Sequence, residues 1–166
     1  MLNMLHNEDN EENEKHQLSD VNVLETQNNI NKKYSGDVVR TKEGFAEIHL
    51  DIIEEMLADK MGLIHNGFIF SSASLSAVSA VNKKFGFVIG SVTNFLTPVR
   101  EHDTIIFKAK ARQKIGRKVI VDVIGRIQDI KIFIGEFTVV IMDKHILNIK
   151  LDELDMSEYI KDSDAL

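Results

Sequence analysis

The sequence predicts an α+β fold in which an antiparallel sheet of five or six strands wraps around one long helix. Residues 67–84 are apolar or small on nearly every face, and no charged residue or histidine occurs from Gly67 to Val81. A helix without a polar face must be enclosed by other structure. The chain beyond this helix consists of short alternating segments separated by turn residues, which is typical of antiparallel strands.

The other elements have signals of their own. Residues 44–50 alternate in polarity and predict a strand, after which Asp51 is expected to cap a short helix over 52–59. Phe85-Gly86 is expected to end the long helix. Four further strands are expected as a meander, at 87–95, 104–115, 118–128 and 132–142, with a hairpin turn at Gly116-Arg117.

Length and charge predict one domain with acidic ends. The 166 residues suffice for a substantial core, and we expect the domain to occupy residues 36–145. Residues 1–35 carry a net charge of −4 and are expected to be disordered or partly helical, with a short helix over 18–30. The tail 146–166 also carries −4, which leaves the middle of the chain at +2.

Composition excludes several classes of function. The chain has no cysteine, so disulfides, thiolate nucleophiles and cysteine-based zinc sites are excluded. No apolar run is long enough for a membrane span, and the N-terminus does not resemble a secretory signal. The mild positive charge of the middle does not indicate nucleic-acid binding. His49 and His145 look isolated, so no metal site is expected. The lack of cysteines and of a secretory signal leads us to expect a cytoplasmic protein.

The loop that precedes the long helix is the strongest functional signal. Residues 62–67 read Gly-Leu-Ile-His-Asn-Gly and lead directly into the helix. A helix that begins there presents free backbone N–H groups and the positive end of its dipole. This arrangement favours an anion or a polarised carbonyl oxygen as ligand.

These residues resemble the hotdog-fold superfamily of acyl-CoA thioesterases and acyl-thioester binders, over roughly residues 36–143. The loop at 62–67 is similar to the Gly-x-x-His-Gly-Gly loop of that superfamily. Asn-Phe-Leu-Thr-Pro at 94–98 and the strand-turn-strand at 109–123 match it as well. The resemblance implies a hotdog domain and a coenzyme A or acyl-carrier-protein thioester as ligand. It also implies a homodimer, and it leaves open whether two dimers pair into a tetramer.

Two departures from the superfamily pattern affect the expected chemistry. Asn66 replaces a glycine, and Ser74 stands nine residues after His65, where the resemblance implies a catalytic carboxylate. A serine hydroxyl cannot act as a general base, and losing a positioned base costs about 10²- to 10⁴-fold in rate. The chain thus resembles non-catalytic members. These include acyl-thioester-sensing effector domains of fatty-acid and phospholipid synthesis regulators, and flagella-coregulated virulence proteins of epsilon-proteobacteria.

The expected ligand-binding residues are His65, Asn66, Gly67, Phe68, Ser74, Asn94 and Phe95. The N–H groups of Gly67 and Phe68 are expected to contact the thioester oxygen. His65 is interpreted either as a ligand contact or as a residue that fixes the turn. Asn66 could cap the helix, donate to a ligand, or do both. An acyl chain is expected beside Phe68, Phe70, Leu75 and Phe95, and the other helix serines are expected to serve packing.

A second candidate surface is a run of six bases without an acid, Lys108, Lys110, Arg112, Lys114, Arg117 and Lys118. The first four share one face of a strand at a period of two. They are interpreted either as a dock for the phosphates of coenzyme A or an acidic carrier protein, or as an ordinary solvated face. Arg100 and His102 are weaker candidates of the same kind.

Three functional hypotheses follow. The first is a homodimer that binds an acyl thioester without efficient hydrolysis, in a regulatory or virulence-associated role. The second is an active thioesterase whose carboxylate comes from outside the helix, with Glu54, Glu55 and Asp59 as candidates. The third is a protein-interaction module in which acidic tails bind a basic partner and the pocket is vestigial.

Overall fold

The computed structural model describes residues 23–150 and contains one long helix and six strands in that range. No helix of this part of the chain is long and apolar enough to cross a bilayer. Short 3-10 turns occur at Glu54–Met56 and Ile146–Asn148. The main elements are α1 (Lys32–Ser35), β1 (Asp37–Lys42), β2 (Phe45–Asp51), α2 (Asn66–Val81), β3 (Gly86–Phe95), β4 (Thr104–Ile115), β5 (Lys118–Ile127) and β6 (Ile130–Ile141).

The strands form one antiparallel six-stranded sheet in the order β1-β2-β4-β5-β6-β3. The predicted fold class is confirmed, but the predicted meander is wrong for the first strand after the helix. β3 pairs with β6 rather than with β4, and β4 pairs with β2. The connection from β3 to β4 therefore leaves the sheet edge and passes the loop before α2, where the Ile64 N–H donates to the Val99 carbonyl at 3.3 Å.

The core lies between α2 and the inner face of the sheet. On β2, Ala46, Ile48 and Leu50 are fully buried, while their alternating neighbours remain partly exposed. α2 contributes small buried residues, among them Ser72, Ala73, Ser76 and Ala77. Small side chains allow the sheet to approach the helix closely, so most of the helix serines serve packing as predicted. The long helix is enclosed because the curved sheet covers most of its circumference.

The helix expected over residues 52–59 is mostly absent. Asp51 remains in β2, and its carboxylate accepts a hydrogen bond from the Thr104 hydroxyl at 2.7 Å. Because that pairing keeps Asp51 extended, it does not cap a helix, and Glu54–Met56 forms only a single 3-10 turn. The strand β1 was not predicted at all.

The C-terminal end of α2 differs from the prediction by three residues. α2 ends at Val81 because Asn82 adopts the left-handed conformation, with φ 44°, which asparagine tolerates better than most residues. The Asn82 side chain also holds the N-terminal chain: its Oδ1 accepts from the Glu25 N–H at 2.8 Å, and its Nδ2 donates to the Val23 carbonyl at 3.2 Å.

The expected terminal segments are only partly described. Within the helix expected over 18–30, residues 23–30 are not helical, and residues 18–22 lie outside the described range. The segment 1–17 and the tail beyond residue 150 also lie outside it. The boundaries of the expected domain at 36 and 145 therefore stay a prediction.

Candidate functional site

The loop before α2 is fixed by its own hydrogen bonds. The Asp59 carboxylate accepts from the N–H groups of Met61 at 2.8 Å and Leu63 at 3.1 Å. Gly62 has φ 89°, a left-handed conformation that favours glycine. The His65 N–H donates to the Met56 carbonyl at 3.0 Å and closes the loop. The loop thus delivers His65 to the start of α2 in one defined position.

His65, not Asn66, caps α2. Its Nδ1 accepts from the Gly67 N–H at 2.9 Å, and Asn66 is the first helical residue, so the interpretation of Asn66 as the cap is wrong, and its interpretation as a ligand donor stays open. The physical reason is the glycine at 67. A Cβ there would lie 2.7 Å from the His65 Nδ1, so a larger residue would push the imidazole out of the capping position. His65 therefore fixes the turn, as one of its two interpretations stated.

The cap changes which donors a ligand could use. The Gly67 N–H donates to the His65 side chain, and the Phe68 N–H donates to the His65 carbonyl at 3.2 Å. Neither N–H is therefore free to contact the thioester oxygen, contrary to the expectation from the sequence. Within residues 23–150, the exposed N–H of Asn66 has no hydrogen-bond partner. Since Nδ1 of His65 accepts, the neutral ring carries its proton on Nε2. The donors at the helix start are thus the Asn66 N–H, the Asn66 amide and the His65 Nε2.

A cleft of about 430 Å³ opens at this helix start. One wall comes from the loop, including His65 and Asn66, and the other comes from residues 95–98 at the end of β3. The structure thus brings His65, Asn66 and Phe95 together at one cleft, and their role in ligand binding stays a prediction. The two walls are joined by main-chain pairing of Leu63 with Arg100.

The expected acyl channel is not formed as a single group of residues. Leu75 is 1% exposed and belongs to the core. Phe68 packs on Tyr34 and points away from Phe70, which lies two residues further along the helix and packs on Phe137. Residues two apart on a helix do not share a face, which is the reason for this correction.

Four phenylalanines instead lead inward from the cleft. Phe95 contacts Phe133 with ring centroids 5.4 Å apart, Phe133 contacts Phe137 at 6.5 Å, and Phe137 contacts Phe70 at 5.7 Å. Gly135 makes room for them, because a Cβ there would lie 2.8 Å from the Phe137 ring. We call these four residues the phenylalanine row. No periodic pattern in the sequence indicates it, because three different elements contribute.

Ser74 and Asn94 differ in their relation to the cleft. Ser74 is half-buried one turn after Phe70, on the same face of α2. Asn94 pairs with Ile134 on the outer face of the sheet, whereas Phe95 pairs with buried Phe133 on the inner face. Asn94 is not among the described residues that line the cleft, so the structure separates it from His65 and Asn66.

The candidate substitute bases have other partners. Asp59 is engaged by two backbone N–H groups of its own loop. The Glu55 carboxylate accepts a hydrogen bond from the Lys33 ammonium at 2.6 Å, and this bond lowers the pKa of Glu55 and raises the pKa of Lys33. A lowered pKa makes Glu55 a weaker base. Glu54 is exposed in the 3-10 turn, and no carboxylate is among the described residues that line the cleft.

The run of bases does not form one face. β4 has a bulge at Arg112, so Gln113 pairs with Ile120 and Lys114 pairs with buried Val119. An extra residue reverses the alternation, which moves Lys114 to the helix side of the sheet while Lys108 and Lys110 stay outside. The prediction that the first four bases share a face is therefore wrong for Lys114.

The bases that remain on the outer face are interleaved with acids of neighbouring strands. Lys108 lies 3.8 Å from Glu47, and Arg112 lies 3.3 Å from Asp122 and also contacts Glu136. Arg117, in the hairpin turn, pairs with Asp143. The sequence does not show that these acids lie beside the bases, because the acids belong to other parts of the chain. The ion pairs favour the interpretation as a solvated face over that of a phosphate dock.

The two isolated histidines also have neighbours. The His49 Nε2 lies 2.9 Å from Glu47 on the outer face, and the His145 ring contacts Phe85. Among residues 23–150, no three histidine, aspartate or glutamate side chains come together as metal ligands.

Comparison with solved structures decides the family. The chain is 34% identical to Cj0977, a sigma28-regulated virulence protein from Campylobacter jejuni, over 75% of this chain and 88% of that one, with a TM-score of 0.72. The protein PH1136 from Pyrococcus horikoshii is 32% identical over 76% of this chain and 97% of that one, with a TM-score of 0.75. The chain belongs to the hotdog-fold thioesterase-like superfamily. No protein-family model matches this hotdog chain.

Two curated proteins contain a segment similar to this hotdog chain. Methylthioribose-1-phosphate isomerase of Aquifex aeolicus is 40% identical over 121 residues, which are 72% of this chain and 26% of the isomerase. Transcription factor FapR of Thermoanaerobacter sp. is 25% identical over 104 residues, 63% of this chain and 52% of the factor. The chain thus spans about a quarter and about half of the lengths of these relatives.

Two hotdog structures of lower identity contain a coenzyme A ligand. A hypothetical thioesterase from Streptococcus pneumoniae with coenzyme A is 16% identical, with a TM-score of 0.59 over 66% of this chain and 87% of that one. A Streptococcus mutans protein bound to acetyl-CoA is 20% identical, with a TM-score of 0.62 over 71% of this chain and 97% of that one. At these identities the likeness establishes the fold alone.

Proposed function

We propose that this hotdog protein binds an acyl thioester of coenzyme A or acyl carrier protein at the helix-start cleft and does not hydrolyse it efficiently. The observation that carries the proposal is the exposed start of α2, where the Asn66 N–H lacks a partner within residues 23–150. An N–H at the positive end of a 16-residue helix favours a carbonyl oxygen with partial negative charge. The His65 Nε2 and the Asn66 amide would supply further donors.

The lack of a carboxylate among the described residues of the cleft lining supports recognition without turnover. Ser74 cannot accept a proton from water, and the cleft-lining residues that the structure describes include no carboxylate. Two streptococcal proteins of the same fold hold coenzyme A or acetyl-CoA, so the fold can accommodate the proposed ligand. Similarity to FapR and to Cj0977 supports a regulatory or virulence-associated role, and we further propose a cytoplasmic location.

The proposal includes a homodimer that pairs through β3. β3 is an edge strand, and its Val92 side chain is 71% exposed. An exposed apolar edge strand is a template for pairing with another chain, and a second copy would cover it. Edge pairing would also place a partner beside the cleft, because Phe95 ends the same strand.

Titration calorimetry and a thiol-release assay test the proposal together. We expect heat of binding with acyl-CoA, little heat with free coenzyme A, and turnover well below the ordinary enzyme rate of about 10 per second. Asn66→Pro is the sharpest variant, because proline is tolerated at the first helical position and removes the N–H together with the side-chain amide. This variant should fold and bind weakly, whereas Asn66→Ala should lose only the contribution of the amide. Absence of binding with every thioester would refute the proposal, and rapid turnover would favour a thioesterase.

A further inference from the structure

The helix-start cleft ends at Phe95. The described residues that line it come from two short segments, the loop before α2 and the end of β3. Past Asn66, no described residue of α2 lines the cleft, so the cleft does not extend along the helix. Phe95 is the one described lining residue that belongs to a strand of the sheet. Its ring therefore stands between the cleft and the core.

The space behind Phe95 is filled by aromatic rings. The Phe95 ring packs on Phe133, which is fully buried, while Phe95 itself is 39% exposed. Phe133 also contacts Phe107, with ring centroids 6.0 Å apart. The Phe107 ring fills the space beside Gly125, where a Cβ would lie only 2.8 Å from it. Because protein interiors packed in this way have few voids larger than a water molecule, no path for a flexible chain continues behind Phe95.

The volume of the cleft limits the size of its ligand. At about 30 Å³ for a water-sized group, a cleft of about 430 Å³ holds about 14 such groups. Ligands of protein pockets are largely buried, so the thioester and the adjoining end of a pantetheine arm would occupy about ten of these places. Room for about four carbons then remains beyond the carbonyl group.

We propose that Phe95 restricts the ligand of this cleft to short acyl groups. The inference rests on the proposed function, because it assumes an acyl thioester whose carbonyl oxygen meets the Asn66 N–H. From that oxygen the acyl chain runs toward the Phe95 ring, and a longer chain meets either solvent or the filled core. Each methylene that a ligand buries strengthens binding about fourfold, whereas carbons left in water add nothing. The affinity should therefore stop rising with chain length after the first few carbons.

Titration calorimetry of the full-length protein with butanoyl-CoA and octanoyl-CoA tests this limit. Full burial of the four further carbons of the octanoyl group would strengthen binding about 200-fold. We expect the wild type to bind the two thioesters with affinities within about threefold of each other, because the further carbons stay in water.

Two substitutions change the Phe95 wall in opposite directions. Phe95→Ala removes the ring and opens the cleft toward Phe133, so octanoyl-CoA should gain at least about tenfold in affinity over butanoyl-CoA. Phe95→Trp enlarges the wall, so butanoyl-CoA should lose at least about threefold in affinity against acetyl-CoA. The tryptophan variant creates no cavity, so it tests the limit even where Phe95→Ala fails to fold.

Phe85→Ala is the matched control. Phe85 precedes the other end of β3 and contacts the His145 ring, so this variant should keep the wild-type ratio of affinities. A wild type that binds octanoyl-CoA at least about tenfold more tightly than butanoyl-CoA would overturn the limit and leave the proposed function intact. Unchanged ratios in both Phe95 variants, or an equal shift in Phe85→Ala, would overturn the role of Phe95. Absence of binding with all three thioesters would instead refute the proposed function, and this inference with it.

Discussion

Substitutions of His65 distinguish its contribution to the stability of α2 from its contribution to ligand binding at the start of that helix. His65→Ala removes the acceptor for the Gly67 N–H, a bond of 2.9 Å, while the exposed ring buries little surface. Loss of an N-cap costs about 1 kcal/mol. For a chain of 166 residues this corresponds to a fall in Tm of about 3 °C. We therefore expect His65→Ala to unfold about 3 °C below the wild type in a circular dichroism melt.

His65→Asp should have opposite effects on stability and on binding. Aspartate is a good N-cap, and its charge interacts favourably with the helix dipole, so the Tm should equal or exceed that of the wild type. The same charge would face the acyl oxygen. Two unit charges 4 Å apart interact by about 4 kcal/mol near a protein surface, so a partial charge at an exposed loop leaves about 1 to 2 kcal/mol. Acyl-CoA binding measured by calorimetry should weaken about 5- to 30-fold.

His65→Asn is the matched control, because it keeps a neutral cap and an N–H donor. Its Tm and its affinity should both stay close to those of the wild type. If His65→Asp melts as early as His65→Ala, the capping geometry is wrong. If it binds acyl-CoA as tightly as the wild type, the oxygen does not lie at the start of α2.

Three further outcomes are expected. Gly135→Ala should lower the free energy of unfolding, measured in urea, by about 1 to 3 kcal/mol, because its Cβ would collide with the phenylalanine row. Gly90→Ala is the control, because a Cβ there would have no atom within 4 Å, and it should leave the free energy of unfolding unchanged. Equal effects of the two variants would contradict the packing around Gly135. Ser74→Asp should raise acyl-CoA hydrolysis by up to about 10²-fold in a thiol-release assay, and an unchanged rate would place residue 74 away from the thioester. The pKa of the Glu55 carboxyl, measured by NMR, should lie below that of an ordinary glutamate and should return toward the ordinary value in Lys33→Gln. The wild-type pair therefore stabilises the fold at pH above the ordinary glutamate pKa, and this stabilisation is lost as the pH falls through the lowered pKa.

The sequence predicted the helix and the later strands well because each has a local signal. β4 was predicted with its observed bounds, Thr104–Ile115, from strict alternation. α2 was recognised from its uncharged run, although its end at Val81 is set by left-handed Asn82, whose side chain bonds to Glu25 and Val23, which are distant in sequence.

The residues of the candidate site were chosen from a local sequence signal, but their contacts were not predicted in detail. The glycine loop drew attention to His65 and Asn66, yet His65 caps the helix in place of Asn66 because Gly67 has no Cβ. The position of Lys114 depends on a bulge, which shifts register without any change in composition. Such features are set by backbone geometry and by neighbouring strands, so residue types alone cannot predict them.

The uncharged character of α2 has a consequence for experiments in different buffers. No side chain from Asn66 to Val81 gains or loses a proton in the usual working range. The side chains of α2 thus carry no charge in either acidic or alkaline solution. Any acid- or alkali-induced loosening must therefore begin at the periphery, in the loop, the strand faces or the termini.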